Sequence, residues 1–302
     1  MVQNTELGGH HEQVRAYETA NEIRKGAITG VYSAKSGHPG GSLSAADIYS
    51  YLFFEELNID PKDPKKPDRD RFVLSKGHAA PGYYAALANR GYFPVEDLKT
   101  LRHIGSYLQG HPDMKHIPGV DMSTGSLGQG VSAAVGMAIS AKLSGDDYRV
   151  YTLLGDGEIQ EGQVWEAAML AAHRKLDNLV VIVDNNGLQI DGKIDDVNSP
   201  YPIDKKFEAF RFHVINVDGH DFDALKQAFD EARTVKGQPT ASSQRPSKEK
   251  ESPSWKIRLP GMVLLQTMNS TNSLWKNLRK QVKHYVRSKE NRYKRELRKC
   301  SC

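Results

Sequence analysis

Two short polar segments carry residue types that could bind a phosphate together with a metal ion. The first reads Gly-Asp-Gly at 155–157, and the second reads Asn-Asn-Gly at 185–187. Glycines beside an aspartate let backbone N–H groups and a carboxylate approach one small ligand, which suits a phosphate carried with a hard cation. Magnesium prefers six oxygen ligands and usually keeps phosphate oxygens and water among them. Asp156, Asn186, one backbone carbonyl and a diphosphate would therefore make a complete site.

The elements around these segments explain how they could act together. The residue pattern predicts strands at 149–154 and 178–184, with an amphipathic helix at 163–174 between them. Parallel strands joined by one helix end at the same edge of a sheet, which is where ligands bind in open α/β folds. Either polar segment alone is more often an ordinary turn. Their shared edge favours a binding site.

The remaining chain also predicts alternating helices and strands. Further elements are expected as one strand at 212–217 and helices at 12–34, 44–57, 131–143 and 223–235. Strands separated by helices of about a dozen residues indicate a parallel sheet covered on both faces. The expected fold class is therefore a doubly wound α/β domain. The helix at 131–143 is rich in Ala and Gly, which predicts close helix packing rather than chemistry.

Composition divides the chain near residue 240. The 302 residues are 38% apolar and 26% charged, with a mean hydropathy of -0.58, which is typical of a soluble globular protein. Residues 241–302 carry 16 Lys and Arg against 4 Asp and Glu, whereas residues 1–240 carry 25 against 33. The sequence has neither an apolar run of membrane-spanning length nor the pattern of a signal peptide, so a cytoplasmic protein is expected. We predict a folded domain at 1–240 and a basic tail at 241–302.

Several longer segments carry a family resemblance. The chain reads SGHPGGSLSAADIY at 36–49, DRFVLSKGHAAPGYYAALA at 70–88, QGHPD at 109–113, STGSLGQGVSAAVGMA at 123–138 and GDGEIQEGQVWEA at 155–167. Together with the two asparagines, this text resembles the thiamine diphosphate-binding signature of the transketolase family over about residues 16–240. The resemblance implies the diphosphate-binding domain of that fold. Because no second catalytic half follows, the chain looks like the N-terminal subunit of a split, two-chain transketolase.

The resemblance implies a role for each matching residue. Asp156, Asn186 and the backbone carbonyl of Leu188 would hold Mg²⁺ (or Ca²⁺). His38, His111 and His78 would form the catalytic set, the first two by binding the hydroxyls and carbonyl of a sugar. The cofactor contacts would come from His78, Gly125, Leu127, Gly157, Glu161 and Asn186, with Glu161 in an acidic network between cofactor sites. Imidazole suits this task because it donates or accepts a proton near neutral pH. Any one histidine beside a glycine is more often an ordinary loop residue.

An activity and a partner follow from the same resemblance. The enzyme would move a two-carbon ketol unit from a ketose phosphate such as xylulose 5-phosphate to an aldose phosphate. In the family, the glutamate that activates thiamine diphosphate comes from a separate pyrimidine-binding domain. We therefore expect a complementary C-terminal subunit in an α2β2 assembly. The alternatives are a 1-deoxyxylulose-5-phosphate synthase-like enzyme, which condenses pyruvate, and a non-catalytic remnant; QGHPD and SGHPG favour transketolase.

The tail departs from the family after Pro239. Where the family would continue with AKTVKGKGVSFMEN and a WHG, the chain reads ASSQRPSKEKESPS. A permitted codon can be chosen for each residue from Ala241 onward. If the third base of each codon is then read together with the first two bases of the next codon, the translation is IIAKTVKGKG followed by VSFMENQAAWHG. We therefore hypothesise a reading-frame shift near codon 241. Residues 241–302 are expected to be poorly ordered, or a loosely attached helix at 274–297, and not a strand of the sheet.

The basic tail also allows another interpretation. A run of positive charge can bind the phosphates of nucleic acid. Charge runs are more often solvated surface, and a shifted frame would produce such a bias by accident. We favour the solvated tail over nucleic-acid binding.

Overall fold

A five-stranded parallel sheet forms the centre of the protein. The computed structural model describes residues 2–190 and 192–244, with side chains from residue 14 onward. The strand order is β1 (Arg71–Leu74), β2 (Val150–Gly155), β3 (Leu179–Asp184), β7 (Thr240–Gln244) and β6 (His213–Val217). Each neighbouring pair in this sheet is parallel. A small antiparallel hairpin after β3 consists of β4 (Leu188–Gln189) and β5 (Gly192–Lys193).

Helices cover both faces of the sheet. One apolar cluster joins the sheet to α1 (Val2–Ala34), α3 (Ala46–Tyr51), α4 (Ala80–Arg90) and α9 (Phe222–Thr234). The cluster on the other face joins it to α5 (Gln129–Ser144), α6 (Gly162–His173) and α8 (Ile203–Ala209). Two short helices, α2 (Pro39–Ser44) and α7 (Ile194–Val197), complete the α-helices of the described residues. The predicted doubly wound α/β fold is confirmed. None of the described helices combines the length and the apolar character needed to cross a membrane.

Apart from the helices predicted at 12–34 and 44–57, the predicted elements are observed within a residue or two of their expected bounds; the first helix begins at Val2 instead of residue 12. The strands at 149–154 and 178–184 correspond to β2 and β3, and the helix between them corresponds to α6. The predicted helix at 44–57 is instead divided, because Ala45 lies between α2 and α3 with φ −80° and ψ 0°. The chain then continues from α3 into a π-helical segment, Leu52–Glu56.

The last strand contradicts one expectation. The sequence predicts no strand after residue 240, yet β7 lies between β3 and β6 and pairs with both. Ladder hydrogen bonds use backbone groups, so a polar segment can fill this position in the sheet. The expectation of an undocked tail is therefore wrong for residues 241–244. The expected helix at 274–297 lies outside the described residues, and the domain division at residue 240 stays a prediction.

Candidate functional site

The carboxyl ends of β2 and β3 bring the two glycine-flanked segments together. Gly155, the last residue of β2, pairs in register with Asp184 of β3. Asp156 follows β2 directly and is 1% exposed. Its Oδ1 accepts a hydrogen bond from Gly157 N at 2.9 Å, and its Oδ2 accepts one from Gly187 N at 2.7 Å. The two loops are thus in direct contact, as their shared sheet edge predicts.

The second loop contributes one of its two amides to this edge. Asn186 is half-buried, and its Oδ1 accepts a hydrogen bond from Leu188 N at 2.9 Å. Leu188 begins the hairpin, and 62% of the residue is exposed. Asn185 instead accepts a hydrogen bond from Tyr201 Oη at 2.6 Å. The Asn185 side chain therefore supports the fold, while the Asn186 oxygen keeps a second lone pair for a ligand.

A buried ion pair adjoins Asp156. Lys76 Nζ donates to Asp184 Oδ2 at 2.5 Å, and Ser44 Oγ donates to Asp184 Oδ1 at 2.7 Å. Burial and the nearby Asp184 charge raise the pKa of Asp156 to about 7, although the bonds from Gly187 and Gly157 and the Lys76 charge act in the other direction. A bound cation lowers the pKa of a carboxylate beside it. Asp156 therefore suits a metal ligand, because a cation would offset the charge that burial disfavours.

The three candidate histidines lie in one neighbourhood. The rings of His38 and His78 meet edge to face, with centroids 5.3 Å apart. The ring of His111 packs against Gly125, where a Cβ would lie 3.0 Å from it. Gly125 also has a φ of 149°, which residues with a side chain rarely adopt. The backbone here is therefore restricted to glycine, which brings His111 close to the loop at 123–128.

Gly41 and Gly77 connect the histidines to the ion pair. A Cβ on Gly41 would lie 3.6 Å from His78 Nε2 and 3.8 Å from Lys76 Nζ. A Cβ on Gly77 would lie 2.7 Å from the backbone nitrogen of Gly125, a distance that excludes any side chain. The histidine cluster and the Asp156 loop thus form a continuous site along the sheet edge.

The surroundings favour the neutral form of all three imidazoles. Burial, with the charges of Lys76 and the other two histidines, lowers the pKa of His78 to about 4. Burial and Arg102 lower the pKa of His111, and these two causes together with His111 lower that of His38. A neutral imidazole offers one donor and one acceptor. The site is therefore equipped for hydrogen bonding rather than for binding anions through imidazolium.

Two buried polar atoms in this region lack a protein partner in the described part of the chain. They are His38 Nδ1 and Thr124 Oγ1. Nearly all buried polar atoms in native proteins are hydrogen-bonded to protein or water, so each such atom calls for an explanation. A polar ligand in the site would supply the missing partners.

The other candidate residues lie around the rim. Gly157 contacts the Gln189 side chain, whose Cγ would be 3.3 Å from a Cβ at that position. Leu127 is 37% exposed. Glu161 is exposed and precedes α6, and its Cβ would be 2.9 Å from a Cβ on Gly128. Leu127 and Glu161 border the site, whereas Gly157 also donates its N–H to the buried Asp156 carboxylate.

Sequence reasoning missed Glu158, a buried residue that links several elements of the site. Glu158 is 3% exposed, and its Oε1 accepts hydrogen bonds from Ser75 Oγ at 2.6 Å and Gly128 N at 2.9 Å. Its Oε2 accepts a third from Gly155 N at 3.1 Å. The carboxylate thus links the ends of β1 and β2 to the start of α5. The position of Glu158, two residues after Asp156, was the sequence feature that could have identified it.

Lys76, Asp184 and Arg102 were also missed. Lys76 lies two residues before His78 in the KGHA motif, and Asp184 is a charged residue at the end of an apolar strand. Both residues could therefore have been identified from the sequence. No sequence feature pointed to Arg102, because its contacts are made with loops that are distant in sequence.

The donor set fits a cation that arrives with a phosphate. Within residues 2–190 and 192–244, no group of three or more His, Cys, Asp or Glu side chains is arranged to hold a metal. One carboxylate, one amide and a carbonyl leave several positions of an octahedral ion to other oxygens. Magnesium bound through substrate or cofactor phosphates has this kind of ligand set.

Comparisons with known proteins agree with this geometry. Residues 15–254 match the family described as transketolase, thiamine diphosphate binding domain. The chain is 46% identical over 229 residues to the 6-deoxy-6-sulfo-D-fructose transketolase subunit SqwG of Clostridium sp. (strain MSTE9), covering 76% of this chain and 83% of that one. It is 48% identical over 228 residues to human transketolase, covering 74% of this chain and 36% of the relative. The chain thus spans about a third of the human protein's length.

Solved structures show the same fold. Transketolase from Campylobacter jejuni superposes with a TM-score of 0.78 at 33% identity, covering 89% of this chain and 43% of that chain. Transketolase from Leishmania mexicana gives a TM-score of 0.73 at 39% identity, covering 76% and 36%. The matched region contains the sheet edge, the histidine cluster and the Asp156 loop. The chain belongs to the transketolase family, in which it is a thiamine diphosphate-binding domain.

Proposed function

We propose that this chain is the N-terminal subunit of a two-chain transketolase that transfers a two-carbon ketol unit from a ketose phosphate to an aldose phosphate. The observation that carries the proposal is the hydrogen bond from Gly187 N to Asp156 Oδ2 at 2.7 Å, which joins the two loops where a diphosphate and its cation would bind. The names of two relatives support a two-chain enzyme, because each describes one subunit of a transketolase. One is SqwG, and the other is an apulose-4-phosphate transketolase subunit of Actinobacillus succinogenes, which is 48% identical over 198 residues.

The proposed cofactor is thiamine diphosphate with Mg²⁺ or Ca²⁺. The Asp156 carboxylate, the Asn186 amide oxygen and the Leu188 carbonyl would hold the cation, while the Gly157 N–H and His78 would face the diphosphate. Gly125 and Leu127 would line the rest of the cofactor. When bound, thiamine diphosphate supplies the carbon nucleophile that this chain's own side chains lack.

His38 and His111 are proposed to bind the hydroxyls and carbonyl of the sugar. Because the surroundings keep both imidazoles neutral, each can donate from one ring nitrogen and accept at the other. Such a residue can take a proton from a sugar hydroxyl and return it while a carbon–carbon bond is broken and remade. His38 Nδ1, which has no hydrogen-bond partner among the described residues, is an atom available for this contact.

The proposal requires a second chain. A C-terminal subunit would supply the pyrimidine-binding domain and its activating glutamate, in an assembly of two subunits of each kind. The exposed Glu161 would join an acidic network at that interface. A place in pentose phosphate metabolism and in the cytoplasm belongs to the same proposal.

Isothermal titration calorimetry tests this function. Thiamine diphosphate would be titrated with and without MgCl₂, and with and without a separately produced transketolase C-terminal subunit. We expect binding that requires the metal and tightens with the second subunit. Asp156→Ala should abolish it, whereas Asp147→Ala, at an exposed position, should not.

Three results would contradict the proposal. Absence of binding under every condition would support the non-catalytic remnant. Consumption of pyruvate instead of a ketose phosphate by the assembled pair would support the 1-deoxyxylulose-5-phosphate synthase-like alternative. Metal-independent binding would remove the role of Asp156.

A further inference from the structure

Arg102 contacts both chain segments that carry the proposed sugar-binding histidines. Its Nη1 donates a hydrogen bond to Ser36 Oγ at 2.9 Å, and Ser36 precedes His38 by two residues. Its guanidinium also lies on the backbone of Gly110, where a Cβ would be 2.8 Å from Nε and 2.9 Å from Cζ. Gly110 immediately precedes His111. One planar cation therefore bridges two loops that are far apart in sequence.

The backbone of Arg102 is fixed as well. Its φ is 60°, which is the left-handed region that costs a residue with a side chain some free energy. Its N–H donates to Leu108 O at 2.9 Å. Such a conformation persists only when the surrounding contacts determine it. Both ends of the residue are therefore held in place.

The guanidinium also acts on the histidines through its charge. It adds to burial in lowering the pKa of His38 and of His111. His38 also faces His111, while His78 faces Lys76, Asp184 and the other two histidines. Arg102 is not among the main causes of the lowered His78 pKa, so His78 serves as an internal reference.

We infer that Arg102 is a positioning residue for ketol transfer, which holds the Ser36 and Gly110 segments in the arrangement where His38 and His111 face one sugar. The sugar in this statement rests on the proposed function. The planar fork is needed because a lysine ammonium cannot bond Ser36 and lie flat on Gly110 at the same time.

Imidazole NMR titrations of Arg102→Gln and Arg102→Lys test the inference without requiring turnover. In Arg102→Gln, the titration midpoints of His38 and His111 should rise, while that of His78 should move less. Arg102→Lys should keep the midpoints low, because the charge remains. Arg174→Gln, which removes an exposed cation after α6, is the matched control and should change none of them.

Kinetics of the assembled enzyme provide the second readout. Both Arg102 variants should raise the KM for the ketose about tenfold or more, as expected for a lost charge-assisted contact network. Thiamine diphosphate affinity should stay unchanged, because Arg102 contacts neither loop of the Asp156 site. Unchanged midpoints and unchanged KM in Arg102→Gln would overturn the inference, as would an equal loss of cofactor affinity, melting temperature and turnover. If wild-type protein fails to bind thiamine diphosphate, the proposed function is wrong. The titration midpoints of His38 and His111 would still show whether Arg102 acts on these two histidines.

A different observation, independent of Arg102, concerns β7. Parallel strands covered on both faces normally read as continuous apolar runs, but this strand reads TASSQ with all five residues buried. Thr240 Oγ1, Ser242 Oγ and both amide atoms of Gln244 are buried without a hydrogen-bond partner in the part of the chain that the structure describes. Ser242 lies in register between Ile182 and Ile215, which belong to one apolar cluster. Its position therefore calls for an apolar side chain.

The genetic code relates these serines to apolar residues by one base. If Ser242 and Ser243 are encoded by TCN codons, any base followed by TC encodes Phe, Leu, Ile or Val. The geometry points to the reading-frame shift already hypothesised near codon 241, and adds that the protein's own β7 carries large apolar side chains at 242 and 243. The loss of one base in codon 241 is sufficient.

Sequencing of genomic DNA and transcript across codon 241 tests this second inference. We expect the shifted frame to be open and to encode Phe, Leu, Ile or Val at both positions. AGC or AGT serine codons, or an early stop codon in the shifted frame, would overturn it. The chain produced from the shifted frame should also melt at least several degrees higher than the chain as written; an equal or lower melting temperature would count against the inference.

Discussion

Glu158 offers a sharp test of how the site is held together. Replacing it with alanine removes the acceptor for three hydrogen bonds, from Ser75 Oγ, Gly128 N and Gly155 N. The serine hydroxyl can rotate to another partner, but the two backbone N–H groups cannot. Each buried N–H left unpaired costs about 1 to 3 kcal/mol. Burial raises the pKa of Glu158, so removing the charge returns part of this cost.

The net loss of unfolding free energy should therefore be about 2 to 4 kcal/mol. For a domain of this size, 1 kcal/mol shifts the melting temperature by about 2 to 4 °C, so Glu158→Ala should melt roughly 5 to 15 °C below wild type. The melting temperature of Glu158→Gln should lie between those of wild type and Glu158→Ala. Its amide oxygen can still accept hydrogen bonds, whereas its NH₂ group, a donor, cannot accept from the Gly155 N–H.

Differential scanning calorimetry and urea unfolding measure this effect. Glu166→Ala is the matched control, since Glu166 is an exposed glutamate on α6. If Glu158→Ala unfolds within about 2 °C of Glu166→Ala, the three hydrogen bonds do not stabilise the sheet edge as reasoned.

Three further predictions concern other buried polar groups of the protein. The folded pKa of Asp156, about 7, lies above its ordinary value of 3.8, so its contribution to stability is complete below about pH 4 and is lost as the pH rises through 7. The stability difference between Asp156→Asn and wild type, from urea midpoints at pH 5 and pH 8, should shift in favour of the variant at pH 8; a constant difference would contradict this reasoning. Lys76→Met should cost about 3 to 5 kcal/mol because it leaves the buried Asp184 unpaired, and Lys76→Met with Asp184→Asn should recover part of that loss in urea unfolding. Ser242→Ala should raise the unfolding free energy by about 1 kcal/mol, because it removes a buried hydroxyl that has no partner among the described residues. Ser243→Ala should change the unfolding free energy less, because the Ser243 hydroxyl is not among those buried, unpaired atoms.

The contact between the Asp156 loop and the Gly187 loop could be predicted, because it depends on neighbouring elements in the sequence. A buried strand followed by Gly-Asp-Gly, a helix, and a second buried strand followed by Asn-Asn-Gly fix one sheet edge through the handedness of the crossover. The chain then has little freedom to separate Asp156 from Gly187. The histidine motifs were visible too, but their convergence was carried by the family resemblance.

Other features depend on contacts between distant segments. The Lys76–Asp184 pair and the three bonds of Glu158 join strands through side chains whose partners no periodicity indicates. Arg102 reaches Ser36 and Gly110 only because two loops converge at the sheet edge.

The sequence by itself determined the alternation of helices and strands, the parallel sheet and the edge where Asp156 meets the second loop, because hydrophobic periodicity and crossover handedness act over short stretches of chain. Only the tertiary structure decided that β7 fills the gap between β3 and β6, and that a single arginine bridges two histidine loops. Backbone pairing in a sheet does not require a particular side chain, and contacts between distant loops exist only after the chain has closed around its core.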